Sequence, residues 1–415
     1  MWSLKEMKIN NDPEQVNMVL SRGLDEVIGL ESLKQKMLKG EKVKLYLGID
    51  PTTPNLHIGH MVPLLKLKDF MDLGHEVILL VGNFTALIGD TSDKTSTRPA
   101  ITVEQINENL QNYKQQASKI LDFEKVKLVF NGDWLEKLNF KDIILLAQEF
   151  TLKPFLDREL IAKRIKEEMP IGLHEVLYPI MQGYDAFYLD VDLQVGGTDQ
   201  RFNMLAGRDL QRKKKDKEMA IITVPLLTGL DGRKMSKSYN NGINLLDSAI
   251  DKYGKTMKIT DDKIIEYYKL ATRVSEQEIK EIEQTLKSST NPMEIKKKLA
   301  FEITKLYEGE NSAIEAEKYF QNVVQDKIIP ENLQVFKIEK SQISILELIS
   351  KCGLTTSNSE SRKMIEQGGV SVNNVKITDK NNIITVKNSE KVIQVGKRNF
   401  AKFRLWDLYI NIKDG

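Results

Sequence analysis

The sequence is poor in cysteine and histidine, and it lacks long apolar runs. Its 415 residues include one cysteine, Cys352, and four histidines. A single cysteine cannot form an intramolecular disulfide, and a structural zinc site would need four ligands from this small set. No uncharged run approaches the roughly 18 residues of a membrane span, and the N-terminus carries acids and amides where a signal peptide is apolar. These absences predict a soluble, cytoplasmic protein that enters no membrane and has no structural metal.

The chain is long enough for two or three domains, at about 150 residues for each domain. Its hydrophobic residues, 41% of the total, suffice for a core in each of them. The net charge of +2 is unevenly distributed, because residues 343–415 carry twelve basic and seven acidic residues. The C-terminal part is therefore basic, at about +5, and the rest of the chain is slightly acidic.

Short apolar runs rich in β-branched residues predict four buried strands. They lie at residues 42–50, 76–82, 127–131 and 220–225. Helical periodicity at residues 61–71 separates the first two runs, which gives the strand, helix, strand unit of a parallel α/β sheet. A mostly helical stretch from about 142 to 212 precedes the fourth run, and a glycine-rich turn at residues 194–200 interrupts it.

After residue 242 the sequence changes character. Residues 243–326 are rich in lysine and glutamate at helical spacing, which predicts an all-α domain. Residues 327–342 are predicted to form a linker. Residues 343–415 combine short helical and β-rich segments into a small α+β domain, whose positive charge suits a polyanionic partner.

The first candidate motif runs from Asp50 to His60, between the end of a predicted strand and the start of a predicted helix. His57 and His60 lie where the positive end of the helix dipole favours phosphate. Gly59 has no side chain, so a charged group can approach the backbone there. Alternatively, both histidines are capping or core residues of an ordinary turn. A metal site would require a third ligand, and nothing nearby supplies one.

The second candidate motif, residues 229–238, follows the predicted strand at 220–225. Its glycines permit a mobile loop, and Lys234 and Lys237 can be brought onto a polyphosphate as point charges. A run of charge is usually only a solvated face. However, the string KMSKS arises by chance on the order of once per thousand such sequences. Its presence downstream of the string HIGH makes coincidence a poor explanation.

These strings resemble the HIGH and KMSKS signatures of class I aminoacyl-tRNA synthetases. The resemblance implies that the catalytic residues are His57, His60, Lys234 and Lys237. It implies that ATP is bound by Gly59, Asp199, Lys234, Lys237 and Ser238. Attack of a carboxylate on the α-phosphorus of ATP needs no proton removed at neutral pH, so positioning and charge neutralisation can suffice. No tightly bound cofactor is expected, and Mg²⁺ is expected to accompany ATP as a substrate ion.

A further set of residues indicates which amino acid is activated. Tyr46 and Gly48 share one face of the first predicted strand, and Tyr178, Gln182 and Asp185 share one face of a predicted helix. An ordinary amphipathic helix is the alternative, although a core face rarely carries both Gln and Asp without a ligand to satisfy them.

This arrangement resembles bacterial tyrosyl-tRNA synthetase. The resemblance implies that Tyr46 and Asp185 hold the phenol of tyrosine, with Tyr178 and Gln182 at its ammonium group. It adds further tyrosine-binding positions, which are Gly48, Asp50, Asp90 and Gln200.

The family also carries a basic pair near the tRNA acceptor end or the pyrophosphate. Lys94 and Arg98 match that pair. Asp93 stands where many relatives carry glycine, so the roles of this pair stay open.

The basic C-terminal part resembles a small RNA-binding module of ribosomal-protein type. The resemblance implies that tRNA is bound by Arg362, Lys363, Lys397 and Arg398. It implies a Rossmann-like catalytic domain at residues 1–242, an anticodon-arm domain at 243–326 and the RNA-binding domain at 343–415.

The expected function is that of a tyrosine–tRNA ligase acting on ATP, L-tyrosine and tRNA(Tyr). The family acts as homodimers, and the interface is expected near Phe150 to Leu160, with the apolar segment 142–147. The alternatives are a tryptophan-specific relative and a catalytically silent paralogue that binds RNA.

Overall fold

The computed structural model describes residues 8–52, 54–90, 102–236, 239–288, 291–325, 333–396 and 399–406. The chain divides into two compact units, Met1–Ala313 and Ile314–Gly415. The predicted fold class is confirmed, with a parallel α/β sheet first, a run of helices next and a small strand-rich unit at the end. None of the described helices is long and apolar enough to cross a membrane.

The first unit is built on one twisted sheet. Its described strands are β1 (Glu26–Ile28), β2 (Lys44–Ile49), β3 (Glu76–Val81), β4 (Val126–Phe130), β5 (Leu193–Gly197) and β6 (Ala220–Val224). The order across the sheet is β1-β6-β5-β2-β3-β4, and every pair is parallel except β1 with β6. From β2 the chain adds β3 and β4 on one side, then crosses to add β5 and β6 on the other. The strand order therefore reverses between β2 and β5.

Helices cover this sheet and continue beyond it. The described helices up to β6 are α1 (Pro13–Val19), α2 (Leu30–Leu38), α3 (Ile58–Asp72), α4 (Thr85–Ile88), α5 (Val103–Ala117), α6 (Gly132–Leu135), α7 (Phe140–Ala147), α8 (Leu152–Leu156), α9 (Glu159–Lys166), α10 (Leu173–Leu189) and α11 (Arg201–Lys215). Those after β6 are α12 (Ala249–Thr256), α13 (Ile264–Ala271), α14 (Glu276–Lys287) and α15 (Pro292–Glu308). Helix α16 (Glu310–Tyr319) crosses the boundary between the two units.

The main core of the first unit joins the sheet to the helices that follow it. Val77 of β3 and Leu65 of α3 belong to the same buried cluster as Ile264 of α13 and Leu299 of α15. Helices α13 and α15 thus pack against the same apolar core as the sheet, which fixes their position relative to it. The division of this unit at residue 242 stays a prediction.

Two short strands depart from the sequence analysis. Residues 194–197 were expected in a turn, but they belong to β5, which pairs with both β2 and β6. The sequence of residues 8–39 favours helices, but residues 26–28 within it form the edge strand β1. Both strands are short, and β5 ends in two glycines, so neither gives a strong local strand signal.

The second unit has a core of its own. Its described strands are β7 (Val335–Ile338), β8 (Gln342–Ser344), β9 (Val370–Val372), β10 (Val375–Ile377), β11 (Ile383–Thr385), β12 (Lys391–Val395) and β13 (Asn399–Leu405), and its helices include α17 (Ile345–Lys351) and α18 (Asn358–Glu366). One sheet has the order β10-β9-β12-β13-β7, and β8 pairs with β11. Strand β7 lies within the predicted linker 327–342, so ordered structure in this unit begins before residue 343.

Candidate active site

A crevice opens where β2 and β5 separate. The two strands pair at Tyr46 with Gln194 and have no pairing beyond it, whereas β2 continues along β3 to Ile49. Gly48 is exposed although it lies in a central strand. In open α/β sheets, ligands bind at the carboxyl ends of the strands where the strand order reverses. The fold therefore provides a ligand site at this point, and Gly48 lies on its floor.

The first motif begins α3 at the carboxyl edge of the sheet. His57 is the N-cap of the helix, with an extended backbone, and its N–H donates to Nδ1 of His60 at 3.1 Å. The two imidazole rings stack with centroids 3.6 Å apart. A Cβ atom at Gly59 would lie 3.0 Å from Nδ1 of His57, so the glycine makes room for this ring. Both histidines are thus held at the helix N-terminus, where anions bind.

The segment that follows the second motif is joined to the first motif through the backbone. Ile58 N–H donates to the carbonyl of Ile243, and Leu245 N–H donates to the carbonyl of Leu56, both at 2.9 Å. His57 and Asn244 form the antiparallel bridge between these bonds. Two loops that are far apart in sequence therefore meet at one edge of the sheet.

Side-chain packing adds to this connection. Met235 of the KMSKS string is buried, and its sulfur would lie 3.5 Å from a Cβ at Gly59. The sequence predicted that a ligand would approach the backbone at Gly59, but the side chains of His57 and Met235 occupy much of the space there.

Hydrogen bonds from the side chain of Asn241 hold the described part of the second motif in place, and this residue was not predicted from the sequence. Its Nδ2 donates to Asp231 Oδ1 at 2.6 Å and to the carbonyl of Lys234 at 3.1 Å. Its Oδ1 accepts from the Ser236 N–H at 2.8 Å. Lys234 Nζ lies 3.4 Å from Asp199 Oδ2, so two predicted ATP-binding residues meet across the crevice.

Helix α10 presents three of the predicted tyrosine-binding residues. Tyr178 is buried, and its hydroxyl donates to Asp50 Oδ2 at 2.8 Å. Burial, together with the negative charges of Asp50 and Asp90, raises the pKa of Tyr178 well above its ordinary value. The hydroxyl of Tyr46 lies 3.5 Å from the backbone carbonyl of Gln182. Residues 46, 50, 178 and 182 thus form one cluster.

Asp185 lies at the base of this cluster, and its carboxylate is held by two donors. Trp134 Nε1 donates to Oδ1 at 2.8 Å, and Asn131 Nδ2 is 3.2 Å from Oδ2. Burial raises the pKa of Asp185 to about 8, although both hydrogen bonds favour the ionised form. Burial also raises the pKa of Tyr46 well above its ordinary value, and Asp185 adds to that rise.

Asp50 and Asp90 are two further carboxylates of the crevice. Asp50 Oδ1 accepts from the Thr85 hydroxyl at 2.8 Å. A Cβ at Gly82 would lie 2.0 Å from the same oxygen, so only glycine leaves room for the Asp50 carboxylate. Asp90 Oδ2 accepts from Gln200 Nε2 at 2.7 Å. Two carboxylates close to the Tyr178 hydroxyl are suited to holding a ligand ammonium group.

The structure thus brings most of the predicted residues to one edge of the sheet and adds supporting residues that sequence reasoning missed. The additions are Thr85, Asn131, Trp134 and Asn241. Asn131 and Trp134 follow the end of β4, and a polar or aromatic residue after a strand end was the available signal. The predicted residues that lie outside the described parts of the chain are Lys94, Arg98, Lys237, Ser238, Lys397 and Arg398. In the second unit, Arg362 and Lys363 are exposed in the middle of α18, although the sequence suggested that they lie at a helix start.

Known proteins are similar to this chain over most of its length. Residues 38–325 match the family described as tRNA synthetases class I (W and Y), and residues 326–402 match the tyrosine–tRNA ligase SYY-like C-terminal domain. The chain is 44% identical to tyrosine–tRNA ligase 2 of Clostridium acetobutylicum, over 95% of this chain and 99% of that protein. It is 41% identical to the tyrosine–tRNA ligase of Thermotoga maritima, over 94% and 97%.

A solved structure shares the fold. It is the C-terminally truncated mitochondrial tyrosyl-tRNA synthetase of Coccidioides posadasii, with a TM-score of 0.60 and 27% identity. The match covers 73% of this chain and 91% of that one.

Proposed function

Since the chain belongs to the tyrosyl-tRNA synthetases of class I, we propose how its side chains divide the work of the reaction. The enzyme joins ATP and L-tyrosine into tyrosyl-adenylate, releases diphosphate, and passes the tyrosyl group to the 3′ end of tRNA(Tyr). The observation that carries the assignment is the pairing of residues 56–58 with 243–245, which joins the segment after the second nucleotide motif to the first motif.

Tyrosine binds in the crevice with its phenol towards Asp185 and Tyr46. Asp185 accepts a hydrogen bond from the phenol hydroxyl, and Tyr46 adds a neutral hydroxyl, because its raised pKa keeps it protonated. The ammonium group lies among Tyr178, Gln182 and the carboxylate of Asp90, and Gln200 orients that carboxylate. Phenylalanine has no hydroxyl to bond with the buried Asp185 and Tyr46, which selects against it.

In this arrangement Asp50 orients the side chain of Tyr178. Its two oxygens accept from the Tyr178 and Thr85 hydroxyls, so its negative charge stays beside the ammonium site. Gly48 leaves the floor of the crevice open for the ligand.

ATP lies with its phosphates at the N-terminus of α3. His57 and His60 donate to the phosphates as charge moves onto the departing diphosphate, and Lys234 supplies a cation on the opposite side. Asp199 accepts from the ribose. Lys237 and Ser238 are assigned to the same loop by resemblance alone.

Mg²⁺ arrives bound to ATP and is not held in a protein cage. Within the described residues no group of three or more His, Cys, Asp or Glu side chains is placed to hold a metal ion.

Tyrosine-dependent exchange between ATP and labelled pyrophosphate tests the activation step. We expect exchange with tyrosine and none with phenylalanine or tryptophan. Exchange with tryptophan alone would assign the chain to the tryptophan-specific branch. No exchange with any amino acid would contradict the proposal and favour the silent RNA-binding paralogue.

The tRNA contacts proposed for the second unit are Arg362 and Lys363, joined by Lys397 and Arg398 through resemblance. The exposed cations on α18 suit an RNA backbone, whose binding weakens with added salt. Since its substrates include tRNA, we place the enzyme in the cytoplasm.

We further propose a homodimer formed through α7 and its neighbours. Helix α7 buries none of its residues within one chain, and Phe140, Ile144 and Leu145 are 79%, 46% and 48% exposed. Leu152 and Leu173, at the starts of α8 and α10, are also exposed. The apolar residues 142–147 could also have belonged to an internal core helix, but these exposures do not fit that alternative. Apolar side chains this close together on the surface suit a second copy of the same chain.

Replacing both Ile144 and Leu145 by aspartate is expected to convert the dimer to a monomer in sedimentation velocity, because paired carboxylates cannot be desolvated at the interface. Met293→Asp serves as the control, since Met293 is also partly exposed but lies in the first turn of α15. The control should sediment as the wild type does. An unchanged sedimentation coefficient for the double variant would contradict the proposed interface.

A further inference from the structure

Helix α13 forms hydrogen bonds with the base of the loop that carries the second motif. Thr228 lies at this base, shortly after the end of β6, and its backbone N–H donates to Oε1 of Glu266 at 2.7 Å. The carbonyl oxygen of the same residue accepts from the Tyr267 hydroxyl at 2.6 Å. Two consecutive side chains of α13 therefore bind both backbone polar groups of one loop residue.

Thr228 is directly connected to the lysine of the motif. Thr228 and Lys234 form an antiparallel bridge, and the next N–H, that of Met235, donates to the carbonyl of Leu227 at 3.1 Å. The two sides of the loop base are thus paired like a short hairpin. Any shift of the Thr228 backbone is therefore transmitted to the backbone of Lys234.

The two side chains on α13 are themselves well fixed. Tyr267 is fully buried, and burial raises its pKa, so its hydroxyl is a donor at neutral pH. Glu266 is half-buried and forms an ion pair with Lys263 at 3.3 Å. A buried hydroxyl that loses its acceptor is costly, which favours keeping the bond from Tyr267 to Thr228.

We propose that Glu266 and Tyr267 are positioning residues for the ATP step, acting through Thr228 to hold Lys234 where it meets the phosphates. Neither residue belongs to the HIGH or KMSKS strings. Both lie in the helical segment that follows the sheet, so this segment contributes to amino-acid activation as well as to structure. The inference rests on the proposed role of Lys234 in ATP binding.

The test compares two neighbouring tyrosines of the same helix. Tyr267→Phe removes the bond to Thr228, whereas Tyr268→Phe removes an equally buried hydroxyl that donates to the carbonyl of Ile295 at 3.0 Å. In tyrosine-dependent pyrophosphate exchange by the full-length enzyme, we expect Tyr267→Phe to lower kcat/KM for ATP by about threefold to tenfold. The KM for tyrosine should stay unchanged. Tyr268→Phe should keep the wild-type kcat/KM for ATP.

Two substitutions of Glu266 test the second contact, one that removes the acceptor and one that keeps it. Glu266→Ala is expected to reduce kcat/KM for ATP, and Glu266→Gln should restore most of it, because the amide oxygen still accepts from the Thr228 N–H. Hydrogen exchange at the Thr228 amide should be faster in Glu266→Ala than in the wild type, and this readout needs no enzyme activity.

The outcomes separate this inference from the assigned function. Wild-type levels of kcat/KM for ATP in Tyr267→Phe would overturn the positioning role, as would equal losses in Tyr267→Phe and Tyr268→Phe. Unchanged exchange at the Thr228 amide in Glu266→Ala would overturn the contact itself. A wild-type enzyme without tyrosine-dependent exchange would instead overturn the assigned reaction, whatever the amide exchange shows.

Discussion

Asp185→Asn is expected to lower kcat/KM for tyrosine activation by about 10²-fold. The two oxygens of the carboxylate accept hydrogen bonds from Trp134 and Asn131. The carboxylate must also accept a hydrogen bond from the phenol hydroxyl of tyrosine. An asparagine has only one oxygen, so its NH₂ group would face one of these donors. The substitution therefore removes the acceptor for the phenol and disturbs the two residues that orient position 185.

The matched control is Asp190→Asn on the same helix. Asp190 is exposed at the C-cap of α10 with φ of 52°, a backbone conformation that asparagine tolerates. It should retain wild-type kcat/KM for tyrosine. If Asp185→Asn also retained that value in steady-state exchange kinetics, Asp185 would not be the phenol acceptor.

The same residue predicts how tyrosine binding depends on pH. Burial raises the pKa of Asp185 to about 8 in the empty site, so the carboxyl is mainly protonated below that pH. The phenol needs the ionised form, so binding releases a proton. The affinity for tyrosine should therefore rise from pH 6 towards pH 8, by up to about tenfold per pH unit, and level off above it. Calorimetric titration would measure this slope, and Asp185→Asn should abolish it.

Because of the raised pKa of Asp185, a rise in pH makes the folded protein less stable, whereas it makes tyrosine binding stronger. The unfolded chain ionises Asp185 near its ordinary pKa of 3.8, while the folded chain retains the proton up to about 8. The contribution of Asp185 to the free energy of unfolding is therefore largest at low pH and falls as the pH rises through this window. Tyrosine binding should offset that loss, because the phenol stabilises the ionised form.

The sequence could predict those parts of the fold that carry strong local patterns. The apolar runs that became β2, β3, β4 and β6 are continuous and rich in β-branched residues, as buried parallel strands are. Strand β5 was missed because Gly196 and Gly197 resemble a turn. A Cβ at Gly196 would lie 2.8 Å from the Met204 sulfur, so the glycine there follows from close packing against α11. That contact is set by tertiary structure and leaves no local signal.

The candidate site likewise combines residues that the sequence reveals with residues that only the fold brings together. His57, His60 and Lys234 lie in short motifs that are visible in the sequence. The residues that orient the site come from unrelated segments, as Asn131, Trp134 and Asn241 do. The position of Asn131 and Trp134 after β4 is only a weak local signal, because each of these residues matters for a side chain or loop that the fold brings to it. Helical spacing did place Tyr178, Gln182 and Asp185 on one face, since that relation lies within a single element.

Lys234→Ala is expected to lower the rate of tyrosyl-adenylate formation by about 10²-fold to 10³-fold. Negative charge moves from the reacting phosphorus to the departing diphosphate, and a cation fixed beside it stabilises the transition state more than bound ATP. The loop base held by Thr228 and the amide of Asn241 fix the backbone of Lys234 in advance. Its pairing with Asp199 Oδ2 at 3.4 Å keeps the ammonium group at the crevice before ATP binds.

Lys305→Ala is the matched control, because that lysine is equally exposed, at 42% against 40% for Lys234, and also pairs with one carboxylate. Single-turnover measurement of adenylate formation should show the large loss in Lys234→Ala and none in Lys305→Ala. Tyrosine affinity should be unchanged in both, because neither lysine is near the phenol or ammonium positions. If Lys234→Ala weakened ATP binding but left the rate at saturating ATP intact, the lysine would bind the ground state alone, and the cation that stabilises the transition state would have to lie elsewhere in the site.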